Sequence, residues 1–450
     1  MTKYGAYPAY KPSNVAWLGD IPGHWDVWKV THGFNRIGSG TTPKSDNPVF
    51  YDGNVPWVTT SELRETIITD TTQKVTEEAV ASYSALKIYP KGSLAIAMYG
   101  ATIGRLGMLG VDAAFNQACC VFAEPTVFDT RFVYYWLWMR RPILISLSNG
   151  GGQPNLSQDD LKKLWIPIPD IPEQQAIVRF LDFKTAQIDA LIAKKKTLLD
   201  KLAEKRTALI SHAVTKGLDQ SAPMKRSGVE WIGDIPRHWT IRRVKFAAKL
   251  ESGHTPSKQV PEYWEDCDIP WVSLNDSKQL AAVDYISETA IQINSLGLAN
   301  SSARLLPANA VVFTRDATIG LCAITTRPMA VSQHLIAWIP GFEITALYLL
   351  RVFSAMKGFL DSFTFGATIK TIGMPDVKTL TMPLPPKGEQ EAITTYIEEQ
   401  FRAISPQFQA IETAIERLTE YRSALITAAV TGKIDVRGFE TPQPPEGVTS

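Results

Sequence analysis

A chain of 450 residues with 45% hydrophobic composition and a mean hydropathy near zero is long enough for about two to four ordinary globular domains. Its 46 Lys and Arg against 45 Asp and Glu leave a net charge of +1, which excludes a uniformly basic nucleic-acid binder but not one with its cations gathered on one face. No apolar run approaches the roughly 18 residues of a membrane span, the Pro-rich opening lacks a signal-peptide core, and Cys119, Cys120, Cys267 and Cys322 form no Cys-x-x-Cys pair. A cytoplasmic protein without membrane contact, structural disulfides or a metal site is expected.

After a tail over 1–16, a first domain over 17–170 opens on Trp17-Leu18-Gly19-Asp20-Ile21-Pro22 and His24-Trp25, which read as aromatic packing that anchors the domain rather than as a stacking platform. Short β-like runs such as Leu94-Ala95-Ile96-Ala97-Met98, punctuated by Gly, Pro, Asn and Ser, predict an α+β fold. The polar turn from Ser39 to Lys44 offers backbone N–H groups, the hydroxyls of Thr41 and Thr42 and the Lys44 cation, suited to phosphate or a base edge; a plain surface turn would use similar residues. A spacer helix is expected over 171–217, with Gly217 as its stop. Its heptad of Leu181, Ile188, Leu202 and Leu209, with a second stripe of Ile177, Leu191 and Leu198, predicts a coiled-coil seam interrupted at Lys195. A linker over 218–230 leads to a second domain over 231–385, whose run Ala310-Val311-Val312-Phe313-Thr314 is again strand-like. A second spacer helix over 386–433 carries Ile397, Ile404, Ile411, Leu418 and Leu425, and Pro406 should kink or divide it near Ser405. A tail over 434–450 closes the chain. Unbroken helices of about 40 residues would be about 60 Å long and suit a spacer.

The second half repeats the first. The Trp17 to Trp25 element returns 214 positions later, from Trp231 to Trp239 with His238 in place, and nearly the same shift recurs down the chain, so a whole module is duplicated rather than a chance motif. Ser39-Gly40-Thr41-Thr42-Pro43 answers to Ser252-Gly253-His254-Thr255-Pro256, Val55-Pro56-Trp57-Val58 to Ile269-Pro270-Trp271-Val272, and Ala101-Thr102-Ile103-Gly104 to Ala317-Thr318-Ile319-Gly320. Glu173-Gln174 pairs with Glu389-Gln390, and Arg206 with Arg422. One polypeptide behaves as a covalent dimer, so its natural partner also has two similar halves.

Reactive constellations are missing. There is no phosphate loop, no His-Glu-x-x-His and no nucleophile elbow, and Asn47-Pro48-Val49-Phe50 lacks the second proline of the adenine-methyltransferase motif. The chain reads as a non-catalytic binder with no cofactor of its own. Its informative positions are polar ones where the repeats differ: Thr59, Thr60 and Ser61 against Ser273, Asn275 and Asp276, Tyr99 and Arg105 against Arg315 and Asp316, Asn116 and Gln117 against Gln333 and His334, and Gln153 and Asn155 against Thr368 and Lys370. With Thr41, Thr42, Lys44, His254, Thr255 and Lys258 these are the candidate DNA contacts, since Asn and Gln pair with adenine, Arg and Lys with guanine, and Asp or Glu with cytosine. Drift between two copies would also produce differences, and a scaffold or a carbohydrate-binding tandem repeat stays open.

Taken in order, the Ser39 turn, the Val55 strand, Ala101 to Gly104, Asn116-Gln117, Asn155-Leu156-Ser157, the Glu-Gln helix openings and the close from Leu202 to Ile210 resemble the specificity subunit of a type I restriction-modification system. The resemblance implies two target-recognition domains separated by two long antiparallel coiled-coil helices, a pseudo-two-fold repeat reading a bipartite sequence in double-stranded DNA. It further implies two methyltransferase subunits using S-adenosylmethionine and restriction/translocase subunits using ATP and Mg as partners. Helices that carry the chain from domain 1 to domain 2 and back would bring the two tails together. Half-sites one DNA turn apart, roughly 34 to 36 Å, fit within helices of that length.

Overall fold

The computed structural model describes residues 4–146, 155–363 and 370–442. Two compact units divide it, one made of Met1–Lys194 with Thr413–Ser450 and the other of Lys195–Glu412. Each unit therefore holds one domain, the beginning of the long helix that leaves it and the end of the long helix that returns to it.

In the first unit, β1 (Phe34–Gly38), β2 (Tyr51–Val58), β3 (Ile67–Ile68), β4 (Lys74–Val75), β5 (Leu94–Ala97), β6 (Leu106–Leu109), β7 (Ala114–Phe115) and β8 (Cys119–Pro125) build two sheets, in the orders β1-β8-β5-β6-β3 and β7-β2-β4. The larger sheet is buried on both faces, and strand alternation sorts its side chains. Leu94, Ile96, Cys120 and Phe122 face a core completed by α1 (Thr130–Ser146) and the long α2 (Ile171–Lys216), while Ala95, Ala97, Cys119 and Val121 face a core shared with Val58 and Phe115 of the small sheet.

The second unit repeats this plan with β9 (Ala248–Ser252), β10 (Ile269–Val272), β11 (Tyr285–Ile286), β12 (Gln292–Ile293), β13 (Val311–Thr314), β14 (Cys322–Thr325), β15 (Ala330–Val331) and β16 (Leu335–Pro340), in the orders β9-β16-β13-β14-β11 and β12-β10-β15. Val311, Phe313, Ile336 and Trp338 face the core with α3 (Ala346–Leu360), and Val312, Leu335 and Ala337 face the small sheet. Strand order, parallel pairing of β2 with β7 and of β10 with β15, and the alternation all coincide, so the internal repeat extends from sequence to topology.

The long α2 and α4 (Lys387–Val430) run antiparallel within each unit. In the first, Arg422 Nε bonds Asp189 Oδ1 at 2.9 Å while Gly432, just past α4, lies against Pro22 and Trp25. In the second, Arg206 lies 3.8 Å over the Phe401 ring and Gly217, just past α2, lies against Trp239. The repeated Trp-His element is where both helices attach. Trp25, fully buried, donates from Nε1 to Glu173 Oε1 at 3.1 Å, and His24 Nε2 meets Glu173 Oε2 at 2.7 Å. Trp239 and His238 hold Glu389 in the same way at 2.9 and 2.7 Å. The next residue anchors the strand-to-helix junction: buried Gln174 donates to Val127 O and Pro169 O, and Gln390 donates to Glu343 O and Pro385 O. Gly217 and Gly432, at φ +73° and +70°, end the helices in the left-handed region, and a Cβ on Gly432 would stand 2.3 Å from Pro22.

Two expectations about the helices are corrected. Pro406 does not divide α4, which runs unbroken through it; only one N–H is lost, the Ser405 hydroxyl bonds Phe401 O at 2.7 Å, and Phe401, Ile404 and Ile411 on both sides of it are buried. The second stripe of α2 is not a buried seam along its length, because Leu191 and Leu198 are exposed whereas Ile177, Leu181 and Ile188 are buried. Burial follows the domains and fades between them in sequence.

Within the first unit the segment after α4 returns to the start of the chain: Asp435 N–H donates to Gly5 O at 2.8 Å, and Phe439 meets Phe180 edge-on. A circular permutant joined through the tails and opened near Ser221, an exposed position, is expected to fold with the wild-type circular dichroism and a cooperative melt; a collapsed permutant would contradict this closure. The thiols allow another check. Burial pushes Cys120 and Cys322 up to about 12 and raises Cys119 as well, whereas Cys267 is only half-buried. A thiol reagent at neutral pH should therefore modify one of the 4 cysteines in the native chain and all of them after denaturation; rapid native modification of more than one would show that the sheets open.

Candidate nucleic-acid interface

In the first domain the candidate residues gather at the C-terminal ends of the parallel strands β2 and β7. Thr41 N–H bonds Phe115 O at 3.0 Å, Asn116 N–H bonds Val58 O at 3.0 Å, and the exposed Thr42 hydroxyl donates to Gln117 Oε1 at 2.6 Å, clasping the Ser39 turn to the Asn116 loop. Gly40 permits this approach, since a Cβ there would lie 1.6 Å from Phe115 O. Below the clasp, Trp57 Nε1 bonds Thr41 O at 3.3 Å, and Lys44 N–H bonds the Tyr83 hydroxyl at 3.1 Å, leaving the Lys44 ammonium exposed. Thr59, Thr60 and Ser61 follow β2 in a capped turn in which Glu62 accepts from Thr59 N at 2.8 Å and from Thr72 N at 2.7 Å. Tyr99 begins the turn between β5 and β6, bridges Asn155, and is tied to the same cluster by Met98 N–H bonding Ala118 O at 2.8 Å. Arg105, exposed, closes that turn. Gln153 lies outside the described residues.

The second domain places its candidates at the same ends. His254 N–H bonds Val331 O at 3.0 Å, Trp271 Nε1 bonds His254 O at 3.1 Å, and Thr255 clasps Gln333 as Thr42 clasps Gln117. His254 and Lys258 are exposed. The capped turn recurs with Ser273, Asn275 and Asp276, and here the structure separates three residues that the sequence placed together. Ser273 and Asp276 are 5% and 2% exposed, and the Asp276 carboxylate accepts from Ser273 N at 2.8 Å and Ala290 N at 2.7 Å. Both support the turn, because burial and the backbone N–H groups occupy the oxygens a base would need; Asn275 is the member left exposed.

The hairpin turn brings a correction of correspondence. Gly104 N–H bonds Ala97 O and Gly320 N–H bonds Thr314 O, while Leu156 N–H bonds Met98 O and Ile372 N–H bonds Arg315 O. Tyr99 bridges Asn155 as Asp316 bridges Thr371. Arg315 thus occupies the place of Met98, and Asp316 that of Tyr99, one position away from the match read off the sequence. The first copy carries one more residue in this turn, which an ungapped reading through Ala101-Thr102-Ile103-Gly104 cannot see. In the second domain Asp316, 7% exposed, meets His334 Nδ1 at 2.7 Å through Oδ2 and forms an ion pair with Arg315, Nε to Oδ1 at 3.6 Å, and His334 Nε2 lies 3.3 Å from Gln333 Nε2. Asp316 is accordingly a support for His334 rather than an exposed contact. Lys370, exposed, adjoins the turn through Ala317 N–H bonding Lys370 O at 2.9 Å, and Thr368 lies outside the described residues.

Both domains thus present one loop cluster in which a shared frame of turn, tryptophan, capped turn and Thr-Gln clasp carries different exposed polar groups. The outward-facing groups are hydroxyls, amides, an imidazole and cations, and no group of three or more His, Cys, Asp or Glu capable of holding a metal occurs among the described residues. Among the described residues, no helix is long and apolar enough to cross a membrane. Sequence reasoning missed the supports. Trp57 and Trp271 stand in the repeated Val55 strand, and Thr59 followed three residues on by Glu62 is a capping-box signature.

Comparison with known proteins agrees with this architecture. A family described as the type I restriction modification DNA specificity domain matches residues 22–201 and 236–416. The MjaVIII specificity subunit of a type I restriction enzyme from Methanocaldococcus jannaschii is 20% identical over 428 residues, 93% of this chain and 95% of that protein. The MjaIX specificity subunit of the same organism is 29% identical over 168 residues, and that alignment spans only 37% of this chain and 38% of the relative. Among solved structures, a chain from work on complex assembly and conformational transition of the type I R-M system shares the fold, with a TM-score of 0.64 at 16% identity over 91% of this chain and 98% of that one. The chain belongs to the type I restriction modification DNA specificity family and carries that family's domain twice.

Proposed function

We propose that this chain is the sequence-reading subunit of a type I restriction-modification complex, each domain reading one half of a bipartite target in double-stranded DNA. The observation that carries this is the repetition of one loop cluster on two identically ordered folds with diverged exposed groups. Thr59, Thr60, Arg105, Asn116 and Gln117 serve the first half-site, and Asn275, Arg315, Gln333 and His334 the second, with the exposed Lys44, Lys258 and Lys370 suited to phosphate. The chain acts without catalysis in the cytoplasm and directs its partners: two methyltransferase subunits carrying S-adenosylmethionine and restriction subunits carrying ATP and Mg. Duplex binding by the full chain should weaken steeply as salt rises. Selection of bound duplexes from a random pool should show Arg105→Ala relaxing one half-site by about 1–3 kcal/mol of discrimination while the other half-site is unchanged. Equal relaxation at both halves would overturn the assignment, and salt-independent or absent DNA binding would favour a scaffold.

A further inference from the structure

Beside each domain, where the edge of the large sheet meets the long helices, lies a groove, and the two grooves differ in charge. The one in the first unit, about 440 Å³, is lined by Glu65, Asp182 and Asp189 as well as Arg131 and Arg422. Its cations are answered: Arg131 Nη2 meets Asp182 Oδ1 at 2.7 Å, Arg422 meets Asp189 at 2.9 Å, and the Tyr135 hydroxyl also donates to Asp182 at 2.7 Å. The corresponding groove in the second unit, about 280 Å³, is lined by Arg206, Arg351 and Lys357, with Asp284 as the one acid among the described residues that line it. Arg206 is the repeat partner of Arg422, and Arg351 stands where the first domain has Tyr135. Where Asp189 answers Arg422, the second copy has Ser405, and among the described residues no carboxylate pairs with Arg206, which instead covers the Phe401 ring at 3.8 Å. Asp284 is engaged by Arg351 through two hydrogen bonds of 2.8 and 2.5 Å. Arg351, with a side chain 3% exposed, still has a buried Nε without a hydrogen-bond partner among the described residues.

The groove thus has an excess of positive charge at a position its twin neutralises. It is also continuous with the recognition cluster: Gly320 and Leu321, at the end of the Arg315 turn, line it, and Lys357 and Leu360 are the side chains nearest Gly320. We propose that this groove is a phosphate site and that it takes a backbone phosphate of the DNA read by the second domain, held by Arg206 and Lys357 over the Arg351–Asp284 pair. This rests on the DNA-reading function argued above. An exposed arginine and lysine beside a fixed, buried guanidinium suit a non-bridging phosphate oxygen, and such an interaction adds affinity and register without reading bases.

The test uses the full chain and a duplex containing its selected target. Arg206→Ala and Lys357→Ala should each reduce the steepness of log affinity against log salt by about 0.9, the value for one phosphate no longer neutralised, weaken all sequences alike and leave the selected words unchanged. Arg422→Ala, in the neutralised twin, should leave the slope as in wild type. Wild-type slopes in both groove variants would overturn the proposal, and so would a changed word at the second half-site. Should Arg206→Ala fail to fold, Lys357→Ala alone decides, since its side chain is exposed. Inorganic phosphate titrated against the DNA-free chain separates the sources: stabilisation lost in the variants with no change in DNA slope would assign the groove to a free anion and overturn the DNA assignment. Absence of wild-type DNA binding is a different result, because it removes the DNA-reading function itself.

Discussion

Gly40→Ala should abolish reading of the first half-site while sparing the second. The added Cβ would lie 1.6 Å from Phe115 O and 2.3 Å from the Phe115 carbonyl carbon, so backbone must move and the Thr42–Gln117 clasp must open. Overpacking of this kind costs about 1–3 kcal/mol and sometimes more, and here the displaced groups belong to the turn that faces the ligand. Binding selection should return the second word intact with the first lost, and Gly253→Ala, whose Cβ would meet Ser332 O at 2.1 Å, should give the mirror result. Gly438→Ala, with open space around it, is the control. Wild-type selectivity in Gly40→Ala would show that the Ser39 turn is not part of the interface.

Glu173→Ala should cause a large loss of stability in the first unit. Its side chain is 4% exposed and accepts from the buried Trp25 indole, so removal leaves a buried N–H unanswered and frees His24. A loss of about 3 kcal/mol is expected, read as a lowered denaturant midpoint by tryptophan fluorescence. Glu389, with a side chain 42% exposed, makes the same two hydrogen bonds where water can replace them, and Glu389→Ala should cost about 1 kcal/mol. Glu173→Gln, which keeps an acceptor for Trp25, should recover part of the loss. Equal effects at the two sites would contradict the view that burial sets the strength of the clasp.

Much of this architecture was legible because duplication and periodicity are properties of the chain itself. The repeat from Trp17 to Trp25 and from Trp231 to Trp239 announced two domains, and the punctuated β-like run from Leu94 to Met98 announced a sheet strand. What escaped were features decided by tertiary neighbours. Leu191 and Leu198 keep the heptad spacing but stay exposed, and Pro406 is tolerated in a helix whose side chains are buried on both sides of it. In the candidate site, residue type suggested polarity but not exposure: Asp276 and Asp316 carry the right chemistry and are turned inward to backbone N–H groups and to His334. The one-residue offset in the Arg315 turn needed hydrogen-bond register, since motif matching anchors on Ala101-Thr102-Ile103-Gly104 and carries its frame across the insertion.

The proposed function requires the two domains of one chain to read two separate words. Selecting duplexes from a random pool with the full chain decides this. Two unlike words at one constant separation are predicted, with substitutions at Arg105 altering the first word and substitutions at His334 the second. A single continuous word, or a pair whose members change together, would show that the two domains do not read DNA independently.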